Sequence, residues 1–441
     1  MSILTRDTVL DVKSEMKGRV ERLLAATGTA GPMRWWWVPG RVEVFGKHTD
    51  YGGRPSLMGA LPRGFLLAGA PRADHTIRIV DAGDGSRFEL DLATGRTVPG
   101  DVMGWRRYAN ILARRLNRDF PGASLGADIA LASDLPRASG MSSSSALVVG
   151  LAHALVRLAR LDERDDWNAV FKSSVDRSGY FACLENGLPY GPFAGDGGLG
   201  TFGGSEDQTA IVCCRPGHLS QFSYMPVRHI LDVAVPEAWT FVLASSGIAA
   251  EKAGRAQAQY NRASLGVRAL IDLWRAHIGP IGSLTEALAS DADAELRLGD
   301  VIDRHASGEW PREVLHIRLT HFARELPRVS EAAEAFAASD ATRLGQLAAA
   351  SHEDADQLLR NQLPETNALV ALAVRQGAIG ASAFGAGFGG SVWALVHSAD
   401  ETTINQFGEQ WMGAYRAAFP NRTPLSMWFS ARPGAPLTDV I

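Results

Sequence analysis

Apolar positions recur along this chain at helical and at strand spacing in turn. Residues 8–27 put Val12, Met16, Val20, Leu23 and Leu24 on one face, which predicts an amphipathic helix. The apolar run 34–38, with Trp35, Trp36 and Trp37, predicts a strand broken by Pro39-Gly40 and resumed over 41–45. Strands are further predicted at 64–68, 76–80 and 127–132, and helices at 105–116, 146–161 and 165–185. A glycine-rich stretch, 187–204, precedes a strand predicted at 209–214. In the second half a strand at 239–244 leads into helices at 254–276, 284–291 and 313–327, the last with Leu315, Leu319, Phe322 and Leu326 at helical spacing. The alanine-rich stretch 329–360 predicts a helical pair, followed by a helix at 364–376, a glycine-rich turn and a strand at 391–396. A helix at 402–418 and a strand at 424–429 close the pattern. Strands and helices alternate without a sustained βαβ period or internal repeat, which predicts α+β layers in two domains, 1–220 and 221–441, with a soft boundary near 215–240.

Composition narrows the function classes. The chain has 441 residues, 46% apolar and 21% charged, so it can bury a large core without disulfides or structural metal. With 44 Lys plus Arg against 48 Asp plus Glu, no basic stripe marks a nucleic-acid surface, and no nucleic-acid partner is expected. No apolar run approaches the roughly 18 residues that span a bilayer, so no membrane association is expected. The charged N-terminal stretch, with Arg6, Asp7, Asp11 and Lys13, reads as neither signal nor transit peptide, and the expected location is cytoplasmic. Cys183, Cys213 and Cys214 have neither zinc spacing nor the number for a disulfide framework, and are expected as free thiols. Glycine is the outlier: 46 residues, about a tenth of the chain, against an average near 7%.

Three glycine- and serine-rich segments are candidate chemistry. The first, from Gly40 through Gly46-Lys47-His48, resembles a phosphate-binding P-loop. It has one residue too many between its glycines and no hydroxyl after the lysine, so that reading fails. The second, Phe384-Gly385-Ala386-Gly387-Phe388-Gly389-Gly390, satisfies G-x-G-x-x-G. A strand follows it where a dinucleotide fingerprint needs a helix, and no kinase catalytic loop lies downstream. The third is Gly140-Met141-Ser142-Ser143-Ser144-Ser145, opening an apolar helix. One serine suffices as an N-cap; four, at a helix N-terminus with unpaired N–H groups, also suit a phosphate, and hydroxyls can ligate Mg²⁺.

In this order the three segments resemble the GHMP kinase superfamily, and in particular its galactokinases. The stretch from Pro39 to Gly53 is similar to the galactokinase N-terminal signature, the serine run to the family's phosphate loop, and Gly385 to Gly390 to its C-terminal motif. The resemblance implies a two-domain GHMP kinase fold, with an N-terminal domain like domain 2 of ribosomal protein S5 and a ferredoxin-like C-terminal domain. It implies an ATP- and Mg²⁺-dependent kinase that phosphorylates the anomeric hydroxyl of a free sugar, galactose or a related hexose, and acts as a monomer or weak homodimer. By the same resemblance Asp207 is the catalytic aspartate, with Glu206 as the rival if the register shifts, and Arg41 its neighbour. Lys47, His48, Asp50 and Tyr260 fall at sugar-contacting positions; Gly140, Ser142, Ser143, Ser144 and Ser145 at the ATP loop; and Ser144, or Ser143 one step away, with Glu185 at the Mg²⁺ site.

Departures from the family pattern bear on the substrate. Lys47 stands where galactokinases usually carry a glutamate that contacts the sugar's hydroxymethyl end, reversing the local charge. An anionic sugar such as a uronate is one expectation from this; a solvent-facing Lys47 with galactose retained is the other. Phe384 replaces a usual threonine, and Ala138 and Ser139 replace usual glycines. The interval from Glu185 to Asp207 is longer than in typical galactokinases, and the surplus at 190–204 is expected to be an inserted loop by the site, a candidate lid. A non-catalytic sugar and ATP sensor is the remaining alternative.

Overall fold

The computed structural model describes residues 4–28, 32–97, 103–136, 139–249 and 255–440, with the side chains of 255–257 left aside. Ala138 lies outside the described residues. The first sheet gathers β1 (Arg34–Phe45), β2 (Ser56–Pro71), β3 (Thr76–Asp81), β4 (Arg87–Asp91), β5 (Arg96–Thr97), β6 (Ala127–Ser133), β7 (His218–Ser223) and β8 (Arg228–Ala234). A second, antiparallel sheet holds β9 (Thr240–Ser245), β10 (Gly380–Phe384), β11 (Ser391–Val396) and β12 (Met427–Ala431) in the order β10-β11-β9-β12. The chain's end then returns to the first sheet, where β13 (Thr438–Val440) pairs with β1. Sheet membership thus changes between Ala234 and Thr240, later than residue 220, because β7 and β8 still pair with the first sheet.

Period-two alternation explains the tryptophan run. Trp36 and Val38 enter one core with α2 (Trp105–Asp119) and α3 (Ser143–Leu158), while Trp35 and Trp37 enter another beneath α1 (Ser14–Ala26). A strand buried on both faces reads as continuous apolar sequence. β1 does not break at Pro39-Gly40 as expected. It runs on, with register shifts against β2 between Pro39 and Arg41 and again between Glu43 and Phe45. Bulges turn a strand's side chains, and this pair re-aims the segment carrying Arg41 and Glu43.

The other helices that matter here are α4 (Ser174–Asn186), α5 (Glu206–Cys213), α6 (Arg255–His277), α7 (Arg312–Ala338), α8 (Ala341–Asp354), α9 (Pro364–Arg375) and α10 (Glu401–Ala418). The strand expected at 209–214 is α5 instead. Its apolar run is too short for periodicity to decide, and burial of Ala210, Ile211 and Val212 against α4 and β1 favours the helix. α7 passes through Pro327 without ending, joining stretches that were expected to be separate. Among the described residues no helix is long and apolar enough to cross a membrane.

Candidate active site

Gly40 lets a loop dock onto the bulged part of β1. A Cβ there would lie 2.9 Å from the Met141 carbonyl oxygen and 2.7 Å from a Leu135 methyl. With that space empty, the Arg41 N–H donates to Met141 O at 3.3 Å, tying the strand to the serine loop. The Arg41 side chain continues the link: Nη1 donates to Gly140 O at 2.8 Å and Nε to Asp207 Oδ1 at 2.8 Å. Asp207 Oδ2 in turn accepts from Ser145 Oγ at 3.2 Å. Burial works against the Arg41 charge, but Asp207, Glu43 and Glu206 outweigh it and hold its pKa above the ordinary arginine value. Hydrogen bonds to charged groups are worth about 1.5–3 kcal/mol each, so this knot fixes both side chains. Asp207, not its rival Glu206, is the carboxylate that Arg41 holds.

The glycine-rich loop after β10 closes the knot from the second sheet. A Cβ on Gly385 would stand 2.6 Å from Gly140 O, and its φ of +79° is left-handed. Ser391 Oγ donates to Ser139 O at 2.7 Å, and the Phe384 ring lies 5.8 Å from the Arg41 guanidinium. Phe384 therefore substitutes an aromatic face toward Arg41 for the expected hydroxyl contact.

The serine run does not act as an ordinary cap. Ser142 precedes α3 in a left-handed conformation, with φ +57°, and its side chain makes no cap hydrogen bond. Its buried Oγ has no partner among the described residues. Ser143 and Ser144 are half-exposed. Of Gly140 and the four serines, only Ser145 lines the cleft described next.

That cleft is walled by Arg41, Glu43, His48, Asp50, Glu185, Glu206, Asp207 and Tyr260, with the backbone of Gly203, Gly204, Gly385 and Ala386. His48 sits at φ +56°, with Nδ1 3.2 Å from Tyr51 Oη and Nε2 3.2 Å from Ala386 O. Its ring meets Tyr260 edge-on at 5.7 Å. Its carbonyl accepts from Arg318 Nη2. Asp50 Oδ2 accepts the Glu206 N–H at 3.2 Å, and burial pushes the Asp50 pKa up to about 6 against that bond. Glu185, at the end of α4, accepts from Gln208 Nε2 at 2.7 Å.

Lys47 is not the solvent-facing side chain of one expectation. It is 2% exposed, so it does not face solvent, and it is not among the described residues lining the cleft. Its Nζ donates to Ser351 Oγ at 2.7 Å, and Ser351 donates to Glu325 Oε1 at 2.8 Å. Burial lowers the Lys47 pKa, with Glu325 and Glu43 opposing the shift. The ammonium is hydrogen-bonded inside the protein, to Ser351.

The inserted loop is fastened on both sides. Leu199 N bonds Glu185 O at 2.9 Å, Arg118 Nη2 donates to Ala194 O at 2.5 Å, and Tyr190 and Phe193 pack among Phe171 and Tyr180. At its far end Asn261 on α6 pairs with Phe202 N and Gly200 O, both at 2.9 Å. Sequence reading missed Glu43, Tyr51 and the Arg318, Glu325 and Ser351 group. For Glu43 a signal existed: two residues beyond Arg41 on a strand is the same face.

Known proteins carry the same parts in the same order. Residues 25–71 match the galactokinase galactose-binding signature, 107–176 the GHMP kinases N terminal domain, and 332–415 the GHMP kinases C terminal domain. The chain belongs to the GHMP kinase superfamily. It is 29% identical over 371 residues to the galactokinase of Chloroflexus aggregans, spanning 83% of this chain and 85% of that protein. It is 28% identical over 384 residues to the galactokinase of Streptomyces coelicolor, spanning 86% and 88%. Among solved structures, Lactococcus lactis galactokinase complexed with galactose superposes with a TM-score of 0.76 at 21% identity, covering 96% of this chain and 99% of that one. Mevalonate kinase from L. major, in complex with R-mevalonate, gives 0.55 at 16% identity, covering 92% and 97%. This GHMP kinase is thus a galactokinase-like phosphotransferase with the superfamily's two-part α+β fold.

Proposed function

We propose that this GHMP kinase transfers the γ-phosphoryl group of ATP to the anomeric hydroxyl of a free sugar, galactose or a related hexose. The observation that carries the reading is the Arg41–Asp207 pair, locked at 2.8 Å in a cleft that also holds His48, Asp50 and Tyr260. Asp207 accepts the proton of the attacking sugar hydroxyl, and Arg41 holds that carboxylate in place beside the reacting oxygen. His48, Asp50 and Tyr260 supply the mixed donors and acceptors that sugar hydroxyls need in a partly desolvated pocket. MgATP, when bound, supplies the phosphoryl group and metal neutralisation of its charge. Gly140 and Ser142 to Ser145 are the residues proposed to hold its phosphates, and Ser144 with Glu185 its Mg²⁺. The unpartnered Ser142 hydroxyl at the start of α3 fits a phosphate-binding loop, and one hydroxyl plus one carboxylate suits a largely hydrated Mg²⁺.

The uronate alternative rested on Lys47, whose ammonium is bonded to Ser351 away from the cleft lining, so the reading kept here is a hexose without an anionic end. The test is ADP release with galactose, other free hexoses and galacturonate, followed by locating the phosphate on the product. Sugar-stimulated ADP release with a 1-phosphate product is expected. Sugar and nucleotide binding without ADP release would replace the kinase by a sensor.

A further inference from the structure

Glu43 and Glu206 occupy the cleft one step behind the Arg41–Asp207 pair. Each precedes or follows its functional neighbour on the same element: Glu43 two residues along β1 from Arg41, Glu206 next to Asp207 on α5. They are 3% and 6% exposed, both line the cleft, and their carboxyls influence each other electrostatically. Each carboxyl keeps one oxygen, Oε1, buried and without a partner among the described residues. Leaving a buried acceptor unsatisfied costs about 1–3 kcal/mol, and two such atoms on residues that line one pocket point to a ligand that brings donors.

Charge indicates which donor. The cleft is lined by Glu43, Asp50, Glu185, Glu206 and Asp207, while Arg41 is already committed to Asp207 and Gly140. The groups facing the pair from the surrounding elements are Arg41 on β1, Lys47 beyond it, Asp50, Asp207 on α5, Tyr224 after β7 and Glu325 on α7. Burial raises the pKa of both glutamates, Arg41 opposing for each, so the pair retains a proton more readily than ordinary carboxylates. Even with one proton shared, the carboxylates outnumber the one lining guanidinium, and a buried carboxylate favours a cationic partner.

We propose that Glu43 and Glu206 form an acceptor subsite whose two free Oε1 atoms take a protonated amine on the sugar, making an aminohexose the best-matched substrate class. The proposal rests on the sugar-kinase reading for what occupies the cleft. It assigns substrate contact to Glu43, which the galactokinase resemblance left without a role, and to Glu206, which it named only as the rival of Asp207.

Calorimetric titration of the full-length protein, in the presence of a non-hydrolysable ATP analogue, tests it with four sugars: galactose, its 2-amino-2-deoxy and 6-amino-6-deoxy forms, and galacturonate. At least one aminohexose is expected to bind about tenfold or more tighter than galactose, and galacturonate about tenfold or more weaker. Glu43→Gln and Glu206→Gln, isosteric changes on separate elements, are each expected to erase the amine preference while the analogue's own affinity stays within about twofold. The wild-type ranking decides by itself if a variant fails to fold. Equal or weaker binding of both aminohexoses relative to galactose overturns the proposal, as does an amine preference that survives both substitutions. Phosphoryl transfer is scored separately: amine-selective binding without transfer leaves the subsite standing and removes the kinase reading.

Discussion

Asp50 shows how one side chain is tuned by position. It is buried, accepts the Glu206 N–H, and sits near Asp207 and Glu43, so its pKa is pushed up from 3.8 to about 6, burial being the largest cause. A carboxyl whose folded pKa is raised binds its proton more tightly in the folded state. Its contribution to stability is therefore fully present below about pH 4 and is lost as pH rises to about 6. For the proposed sugar contact the sign is reversed, because the ionised form is the better acceptor. Sugar kcat/KM is expected to rise through about pH 6, and Asp50→Asn to flatten that limb, measured as a pH–rate profile. Lys47 makes a second case, a buried amine hydrogen-bonded to Ser351. Lys47→Met removes the donor to Ser351 and one cation near Glu325, so a stability loss of about 1–3 kcal/mol in chemical denaturation is expected. Discrimination between galactose and galacturonate should stay as in the wild type.

Among the elements, the glycines of the C-terminal motif act by permitting contact. Gly385 stands at positive φ with its missing Cβ aimed at Gly140 O. Gly385→Ala combines a left-handed penalty of about 1 kcal/mol with a forced shift of the serine loop. The expected result is a raised KM for ATP with sugar affinity largely kept, read by steady-state kinetics. Much of this level was legible in sequence. The apolar run Trp35 to Val38 announced a strand, and the order of the three glycine and serine segments announced the family. What escaped depended on packing between distant segments. The α5 run is helical because α4 and β1 bury it all round, and β1 passes Pro39-Gly40 because two bulges absorb the irregularity. The side chain of Lys47 was legible as an anomaly, but its partner lies 304 residues away at Ser351, beyond any local pattern.

At the scale of the molecule, the cleft is assembled from both sheets. Arg41, Glu43 and His48 come from β1 and its following turn, while Ala386 and Gly385 come from the loop between β10 and β11. The inserted loop and Asn261 bridge the first region to α6. Gly40, Gly140 and Gly385 stand where backbone meets backbone around the Arg41–Asp207 knot. The account turns on Asp207 being the group that takes the sugar's proton. Single-turnover phosphoryl transfer by Asp207→Asn, which keeps an acceptor for Arg41, measures that role directly, alongside sugar and ATP-analogue affinities. The predicted result is a transfer rate lower by about 10²–10⁴ with both affinities within a few-fold of wild type. A transfer rate close to wild type, with binding intact, would contradict the account.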